Sequence, residues 1–371
     1  MKGTTRNSEN SGDVVMLDLD NLEIYRRYDP DGMRFHLHGL PRQCCQAWEE
    51  ANKFAFPSDF KDIDKMVICG MGGSAIGGDL LRSLAFKLSK PLVFVHRGYD
   101  LPAFVDSKTL VIASSYSGNT EETLSTFTQA LDINCKKLAI TTGGKLENLA
   151  RESNLPVFTV DYSGQPRAAL GYSFIPLIAL LCKTGFLEDK SAEIEEMAQT
   201  LEALLRNVAE DVAISLNPAK QLASKLFGKL VVIYGAGILS TVAQRWKGQC
   251  NENSKTWAFY ETFPELNHNA VVGYEFPGEM AGKVFVILLR CPSLHPRILA
   301  RYQVTSEILE KAGVGHKIID SQGKGHLTQV MSLVFLGDWV SYYLAILNHT
   351  DPTPVKAIDY LKKRLSDTGT Q

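Results

Sequence analysis

The sequence has almost no net charge, since 39 Lys and Arg residues stand against 41 Asp and Glu residues in a chain of 371. Both signs are interspersed along the chain, which argues against a nucleic-acid or membrane partner held by bulk electrostatics. The seven cysteines include no Cys-x-x-Cys pair, and Cys69, Cys182 and Cys291 lie in apolar runs. An odd number of scattered thiols is typical of a reducing cytoplasm rather than of a disulfide framework.

Signals for export and membrane insertion are also missing. Residues 1–13 are polar and lack the apolar core of a signal peptide. We expect the longest apolar run to be Phe174–Cys182, which is too short to cross a bilayer. We therefore expect a soluble, cytoplasmic protein.

Three cofactor signatures are absent. The segment Gly70–Gly78 is rich in glycine, but the strand predicted next ends in Val95-His96-Arg97, where a dinucleotide-binding fold has an acidic residue for the ribose. The Gly-Lys-Ser/Thr sequence of a Walker loop is missing as well. No group of His, Cys and Asp residues has the spacing of zinc ligands. Neither a nucleotide nor a metal cofactor is expected.

What the sequence does contain is an alternation of short apolar segments with helical patterns. Hydrophobic residues make up 45% of the chain, which is enough for a sizeable core. The alternation predicts parallel sheets covered by helices on both faces. The predicted strands are Lys65–Cys69, Pro91–Val95, Thr109–Ser115, Lys137–Thr141, Pro156–Val160, one within Lys229–Gly237, Gly282–Leu289 and His316–Asp320. The predicted helices are Asp79–Leu88, Thr120–Leu131, Phe174–Asn207 with a break near 183–189, Ile298–Lys311, Leu327–Leu347 and Val355–Leu365.

The pattern occurs twice, because Lys229–Gly237 mirrors the strand and glycine turn of Lys65–Gly72. This repeat predicts two α/β domains. We place an N-terminal lead-in without assigned structure at residues 1–39, a first domain with a helical connection at 40–214, and a second domain with closing C-terminal helices at 215–371.

A phosphate-binding loop is predicted at Ser115–Thr120. The loop follows a buried strand and opens a helix, so that backbone N–H groups and the positive end of the helix face one spot. The hydroxyls of Ser115, Ser117 and Thr120 surround this spot, and Gly118 allows close approach. A Ser/Thr-rich helix cap is the simpler interpretation. Three hydroxyls exceed what a cap needs, so a sugar-phosphate monoester is favoured.

A carboxylate and an imidazole lie sixteen positions apart near the centre of the chain. Glu252 stands between Asn251 and Asn253, and His268 also has an Asn on each side. A glutamate and a histidine among amide side chains are suited to moving protons on a polyhydroxylated substrate. The alternatives are a solvated glutamate in a turn and a structural histidine.

Several motifs together resemble one family of enzymes. They are Ile68–Asp79, Ser114–Leu124, Gln165-Pro-Arg-Ala-Ala-Leu-Gly171, Asn251-Glu-Asn-Ser-Lys255, Leu266-Asn-His-Asn269, Leu336-Gly-Asp-Trp-Val-Ser-Tyr-Tyr-Leu344 and Asp351–Lys362. In this order they are similar to the bifunctional phosphoglucose/phosphomannose isomerases, which are tandem sugar isomerase (SIS) domain proteins. The match runs from about residue 40 to the C-terminal helices. It implies an α/β fold of two SIS-type domains, each a parallel sheet flanked by helices, with closing C-terminal helices.

The resemblance implies aldose–ketose isomerisation of hexose 6-phosphates without a metal or organic cofactor. Glu252 would be the base that moves a proton between C2 and C1 through a cis-enediol. Arg167 would face the developing enediolate. His268 would open the sugar ring, and in this family the matching histidine comes from the neighbouring subunit, which implies a homodimer. Lys362 would assist ring opening, although the adjacent Lys363 leaves the assignment open by one position.

The remaining residues that the resemblance places at the site are Gly72, Gly73 and Ser74, which would line it opposite the phosphate loop. Two alternatives stay open for the function. One is another SIS-type sugar-phosphate isomerase, against which the Asn251–Lys255 and Asn267–Asn269 motifs argue. The other is a non-catalytic regulator that senses sugar phosphates, which would need neither Glu252 nor His268.

Overall fold

The computed structural model describes residues 16–368 and contains two parallel sheets covered by helices. The first sheet has five strands in the order β2-β1-β3-β4-β5. These strands are β1 (Lys65–Cys69), β2 (Leu92–His96), β3 (Thr109–Ser114), β4 (Lys136–Thr141) and β5 (Val157–Thr159). Their apolar residues are buried most completely in β3, where every side chain is inside. Such a strand is a continuous hydrophobic run because helices cover both faces of the sheet.

The second sheet has four parallel strands in the order β7-β6-β8-β9. They are β6 (Leu230–Ala236), β7 (Ala258–Phe263), β8 (Val284–Arg290) and β9 (Gly315–Asp320). In both sheets the first strand is paired on each side, by β2 and β3 in one and by β7 and β8 in the other. The direction of winding therefore reverses beside β1 and beside β6, and such switch points are where α/β folds bind ligands.

Twelve α-helices lie within residues 16–368. They are α1 (Glu23–Tyr28), α2 (Met33–Lys53), α3 (Gly72–Leu84), α4 (Glu121–Leu131), α5 (Gly144–Glu152), α6 (Leu170–Lys183), α7 (Ser191–Val208), α8 (Pro218–Leu226), α9 (Ser240–Glu252), α10 (Pro296–Lys311), α11 (His326–Leu347) and α12 (Lys356–Asp367). The predicted architecture of two parallel sheets flanked by helices is confirmed. The domain boundaries stay a prediction, and α2 runs through the boundary placed between residues 39 and 40.

The bounds of one predicted helix were wrong, and one strand was not predicted. The glycine turn is shorter than predicted, because α3 begins at Gly72 rather than at Asp79. The glycines inside this helix serve packing: a Cβ on Gly77 would lie 2.2 Å from the carbonyl oxygen of Ser173 in α6. The strand β7 was not predicted, since it lies at the sheet edge and mixes polar with exposed aromatic residues.

The two halves meet through equivalent helices, since α3 follows the first strand of one sheet and α9 follows the first strand of the other. Ser83 Oγ and Thr241 Oγ1 lie 2.8 Å apart across this contact, and Thr241 also donates to the carbonyl oxygen of Asp79. Small polar side chains let the two helices approach closely while each of these hydroxyls finds a partner.

The longest helix, α11, forms the centre of the molecule and packs against α2, α7, α8 and α9. Within residues 16–368 it is the one helix long and apolar enough, by length and composition, to cross a membrane. It was not recognised as the longest apolar segment in the sequence because Asp338 and several hydroxyls interrupt it. In the structure 94% of its most apolar window is buried inside the protein, which identifies it as a core helix.

The contact between α9 and α11 depends on a glycine. Trp246 of α9 donates its indole N–H to the carbonyl oxygen of Leu333, and its ring lies on Gly337. A Cβ on Gly337 would lie 2.3 Å from the ring, which is a severe overlap with a fully buried side chain. By contrast, a Cβ on Gly248 of α9 would meet nothing within 4 Å.

We predict that Gly337→Ala destabilises the protein by about 1–3 kcal/mol, because overpacking forces the indole or the helix to move. Gly248→Ala, in the partner helix, should be neutral or stabilising by up to about 1 kcal/mol, since alanine favours the helix. Urea unfolding midpoints compare the two variants. Equal stability of Gly337→Ala and the parent protein would contradict the packing described for α9 and α11.

Candidate active site

The loop Ser115–Thr120 joins β3 to α4 at the switch point of the first sheet. Ser115 is fully buried and donates its hydroxyl to Thr120 Oγ1, while Ser117 is exposed. Thr120 occupies the N-cap position of α4, but its side chain makes no capping hydrogen bond. The simple cap interpretation is therefore not supported at Thr120, whose side chain leaves the backbone N–H groups in the first turn of α4 uncapped.

Gly118 fixes the shape of this loop. Its φ of +66° lies in the left-handed region, and a Cβ there would lie 1.7 Å from the carbonyl oxygen of Gly143. Both facts exclude any other residue. The loop is held in addition by Ser74, whose Oγ accepts the backbone N–H of Tyr116 at 3.0 Å.

The start of α3 forms the opposite wall of the switch point. Gly72 has a φ of +47°, and Gly73 packs directly against the backbone of Pro166 and Arg167, where a Cβ would lie 2.8 Å from the Pro166 carbonyl carbon. This close approach brings the segment after β5 against the glycine turn. The predicted residues Gly72, Gly73 and Ser74 thus lie between the phosphate loop and Arg167.

Arg167 is buried, with 3% of its surface exposed, and three of its hydrogen bonds go to distant parts of the chain. Its Nε donates to Asn253 Oδ1 at 2.7 Å, and its Nη2 donates to the carbonyl oxygens of Pro352 and Thr353 at 2.6 and 2.7 Å. Burial lowers the pKa of Arg167, although a guanidinium still keeps its charge at neutral pH. The side chain is therefore a fixed cation.

Glu252 lies at the C-terminal end of α9, beside this cation. Its Oε2 is 3.6 Å from Arg167 Nη1, and 31% of the carboxylate side chain remains exposed. The neighbouring Asn253 is fully buried and donates to Ser341 Oγ of α11 while it accepts from Arg167. The structure therefore joins Glu252 and Arg167, which are 85 positions apart in the sequence, at the end of a helix anchored to the core.

Lys255 follows in the same motif and was not among the site residues predicted from the sequence. Its Nζ donates to four carbonyl oxygens, those of Glu252, Asn253, Asp351 and Pro352, at 2.7–3.2 Å. Desolvation, followed by the charge of the nearby guanidinium, lowers the pKa of this amine to about 8. Lys255 thus ties the end of α9 to the chain that leads into α12.

A buried ion pair between Arg245 and Asp338 holds the backbone of Arg167. Arg245 Nη2 donates to the carbonyl oxygen of Arg167 at 3.1 Å and to both carboxylate oxygens of Asp338 at 2.8 and 3.1 Å. Gln249 donates to the same carboxylate at 2.8 Å. Burial raises the pKa of Asp338, and Arg245 opposes this effect. The only sequence signal for this network was the Leu336–Leu344 motif of the resemblance.

His268 is exposed and lies on a 3₁₀ turn, Glu265–His268. The amide of Asn267 pins this turn to α10, because its Nδ2 donates to Thr305 Oγ1 at 2.8 Å and its Oδ1 accepts from Arg301 Nη1 at 3.2 Å. The side chain of Asn269 caps the next turn. Asn267 and Asn269 therefore fix the backbone of the turn that carries the exposed imidazole of His268.

The structure does not bring His268 to Glu252 of the same chain. The helix α9 runs from the carboxyl edge of the second sheet to its amino edge, where Glu252 lies, and β7 returns to the carboxyl edge before His268. With a rise of about 3.3 Å per residue, the six residues of β7 alone cover roughly 20 Å.

Lys362 and Lys363 lie on α12, and both side chains are exposed. No residue of α12 is buried within the described chain. The structure thus places neither lysine in contact with Glu252 or Arg167. Residues 16–368 also contain no group of three or more His, Cys, Asp or Glu side chains that could hold a metal ion.

Comparison with known proteins identifies the family. The chain is 46% identical over 332 residues to a bifunctional phosphoglucose/phosphomannose isomerase from Caldicellulosiruptor bescii, a match that covers 89% of this chain and 98% of the relative. A protein of the same description from Aquifex aeolicus is 37% identical, with 86% and 94% of the two chains covered.

The fold comparison agrees with the sequence. A hypothetical protein from Thermus thermophilus superposes with a TM-score of 0.69 over 94% of this chain and 93% of its own, at 19% identity. Residues 215–365 match the family described as the bacterial phospho-glucose isomerase C-terminal SIS domain. The predicted SIS-type fold is therefore confirmed, and the chain belongs to the family of bifunctional phosphoglucose/phosphomannose isomerases.

Proposed function

We propose that this chain interconverts glucose 6-phosphate and mannose 6-phosphate with fructose 6-phosphate in the cytoplasm, without a metal ion. The observation that carries the proposal is the carboxylate of Glu252 beside the buried guanidinium of Arg167, at 3.6 Å. The start of α3 connects the phosphate loop to this pair, since Ser74 Oγ accepts the backbone N–H of Tyr116 and Gly73 packs on Pro166. The description of the relatives supports the hexose phosphates as substrates.

The substrate phosphate binds at the N-terminus of α4, where Ser117 and Thr120 donate hydroxyl hydrogen bonds and the backbone supplies N–H groups. The Ser115 hydroxyl does not bind the phosphate itself, because it donates its hydrogen bond to Thr120 Oγ1. With the phosphate held there, C1 and C2 of the open-chain sugar extend to the other side of the switch point, where Glu252 lies.

Glu252 takes the proton from C2 of the aldose and returns it to C1, with a cis-enediol between the two steps. The negative charge that develops on the oxygens needs a fixed cation. Arg167 meets this need: Nε and Nη2 are bound by protein oxygens, and Nη1 lies beside the carboxylate of Glu252, where it would face the reacting carbons. Because the guanidinium is already locked, no reorganisation is required during the reaction.

His268 opens the sugar ring in the site of the neighbouring subunit, so the active enzyme is a homodimer. An acid–base group must lie within hydrogen-bond reach of the ring oxygen. The strand β7, which spans roughly 20 Å, separates the histidine from the glutamate of its own chain. A two-fold dimer solves this problem, because each chain then supplies His268 to the other.

Lys255 is a positioning residue in this scheme. Its amine holds the backbone of Glu252 and the segment 351–353 together, and it does not touch the carboxylate. The charged ammonium has three donors for four carbonyl oxygens, whereas the neutral amine has two.

The first prediction concerns Glu252. The parent protein should convert both glucose 6-phosphate and mannose 6-phosphate to fructose 6-phosphate in coupled assays. Glu252→Gln should abolish both activities, because an amide cannot accept the proton, while calorimetry should still detect fructose 6-phosphate binding at the separate phosphate loop. Glu49→Gln, an exposed glutamate of α2, serves as the control with full activity. A folded Glu252→Gln protein that isomerises either sugar at the parent rate would disprove the assignment.

The second prediction concerns the shared site. Glu252→Gln and His268→Ala homodimers should both be poor catalysts. Refolding them together should form mixed dimers with one doubly damaged and one intact site. Random pairing makes about half of the dimers mixed, so activity should recover to about a quarter of the parent value. No recovery in subunits shown to exchange would rule out the shared site.

The third prediction concerns Lys255 and pH. The lowered pKa means that the amine loses its charge as the pH rises through about 8, so the kcat of the parent protein should fall above that pH. Lys255→Arg keeps its charge and should extend the active range upward. Lys255→Met should lower kcat roughly tenfold or more at every pH, as expected for the loss of one charge-assisted hydrogen bond, with a smaller change in KM. Identical pH profiles of the parent protein and Lys255→Arg would contradict this role.

A further inference from the structure

The C-terminal helix α12 has an apolar stripe that nothing within residues 16–368 covers. Ile358, Leu361 and Leu365 follow the spacing of one helical face, and they are 39%, 56% and 52% exposed. No residue of this 12-residue helix is buried. An isolated helix of this length is only marginally stable in water, so the stripe needs a surface to pack on.

The start of α12 is fixed at the active site. Arg167 and Lys255 together bind the carbonyl oxygens of residues 351–353, immediately before the helix. The helix therefore begins close to Glu252, because the same two cations contact Glu252 and the segment before α12. A surface that packs on the stripe therefore lies near this site.

A complementary surface lies on the segment 257–281, which carries His268. Its exposed apolar side chains include Trp257, Val272 and Phe276, at 71%, 77% and 82%. It also contains four glutamates and no lysine or arginine, whereas α12 has four basic residues against two aspartates. The strand β7 in this segment is an edge strand, with one side free of pairing. The two surfaces are thus matched in apolar character and opposite in charge.

We propose that the apolar stripe of α12 packs against residues 257–281 of a second copy of the chain. This inference rests on the proposed function, since His268 of the second copy must reach the site at which α12 begins. The contact gives a reason for the exposed aromatic residues, and it places the partner's histidine turn and the helix on either side of the bound sugar.

Docking of the helix would also place Lys362 and Lys363 in different surroundings. Successive residues of an α-helix are rotated by about 100°, so Lys362 lies roughly 70° from the centre of the stripe and Lys363 roughly 170° from it. With the stripe against the partner, Lys362 lies at the rim of the contact. Lys363 faces the solvent. This placement favours Lys362 over Lys363 for the role that the family resemblance implies.

Photocrosslinking tests the docking. p-Benzoylphenylalanine replaces Leu361, within the stripe, or Lys363, on the opposite face as the matched control. Isotopically labelled and unlabelled copies of each variant are mixed, irradiated and analysed by mass spectrometry. Position 361 should crosslink to residues 257–281 of the other copy, and position 363 should give at least a roughly tenfold lower yield, because it points away from the partner.

Activity measurements on lysine variants provide a second test of the inference. Lys362→Met should lose activity roughly a hundredfold or more, as for a removed acid–base group, and Lys363→Met should stay within about twofold of the parent protein. Crosslinks from position 361 that stay within one chain, or equal kinetic effects at 362 and 363, would overturn the inference. If the protein is dimeric and Glu252→Gln abolishes its activity, such results would contradict the docking but not the proposed function. A monomeric, active protein in sedimentation would overturn both the docking and the shared site.

Discussion

The structure depends on one buried guanidinium. Arg167 comes from the segment after the first sheet, yet its hydrogen bonds go to Asn253 at the end of α9 and to the chain before α12. Three distant parts of the sequence therefore meet at a single side chain. A buried charge is costly unless it is paired and fully hydrogen-bonded, so this arrangement permits little variation in the relative placement of the two halves. The same constraint fixes the distance between the cation and the carboxylate of Glu252.

Neighbouring segments of the backbone lie very close together around Arg167 because the side chains there are small. Gly73 lies on Pro166, Gly77 lies on Ser173, and Gly337 lies beneath Trp246. These glycines let α3, α6, α9 and α11 pack closely near the site. In the proposed dimer the second copy completes the site with its His268. Within each chain this residue follows β7, which runs to the carboxyl edge of the second sheet and so away from Glu252.

Much of this architecture could be predicted from the sequence, because buried parallel strands are continuous apolar runs and are easily recognised. The strand β1 and the helix α11 are found within one residue of their predicted bounds. The edge strand β7 was missed, since one of its sides is solvent-exposed and its pattern is mixed. The glycines of Gly72–Gly78 were interpreted as a turn although most serve helix packing, and the packing partner of Gly77 is 96 residues away, where no local pattern reveals it. The contacts of Lys255 and Asp338 could not be predicted for the same reason.

The central claim is that a proton moves between C2 and C1 beside Arg167. Incubation of the enzyme with fructose 6-phosphate in heavy water, followed by NMR of the products, tests it most directly. A carboxylate base that exchanges its proton with solvent should introduce deuterium at C2 of both glucose 6-phosphate and mannose 6-phosphate. Both aldose phosphates formed without any deuterium at C2 would contradict the enediol chemistry and, with it, the role assigned to Glu252.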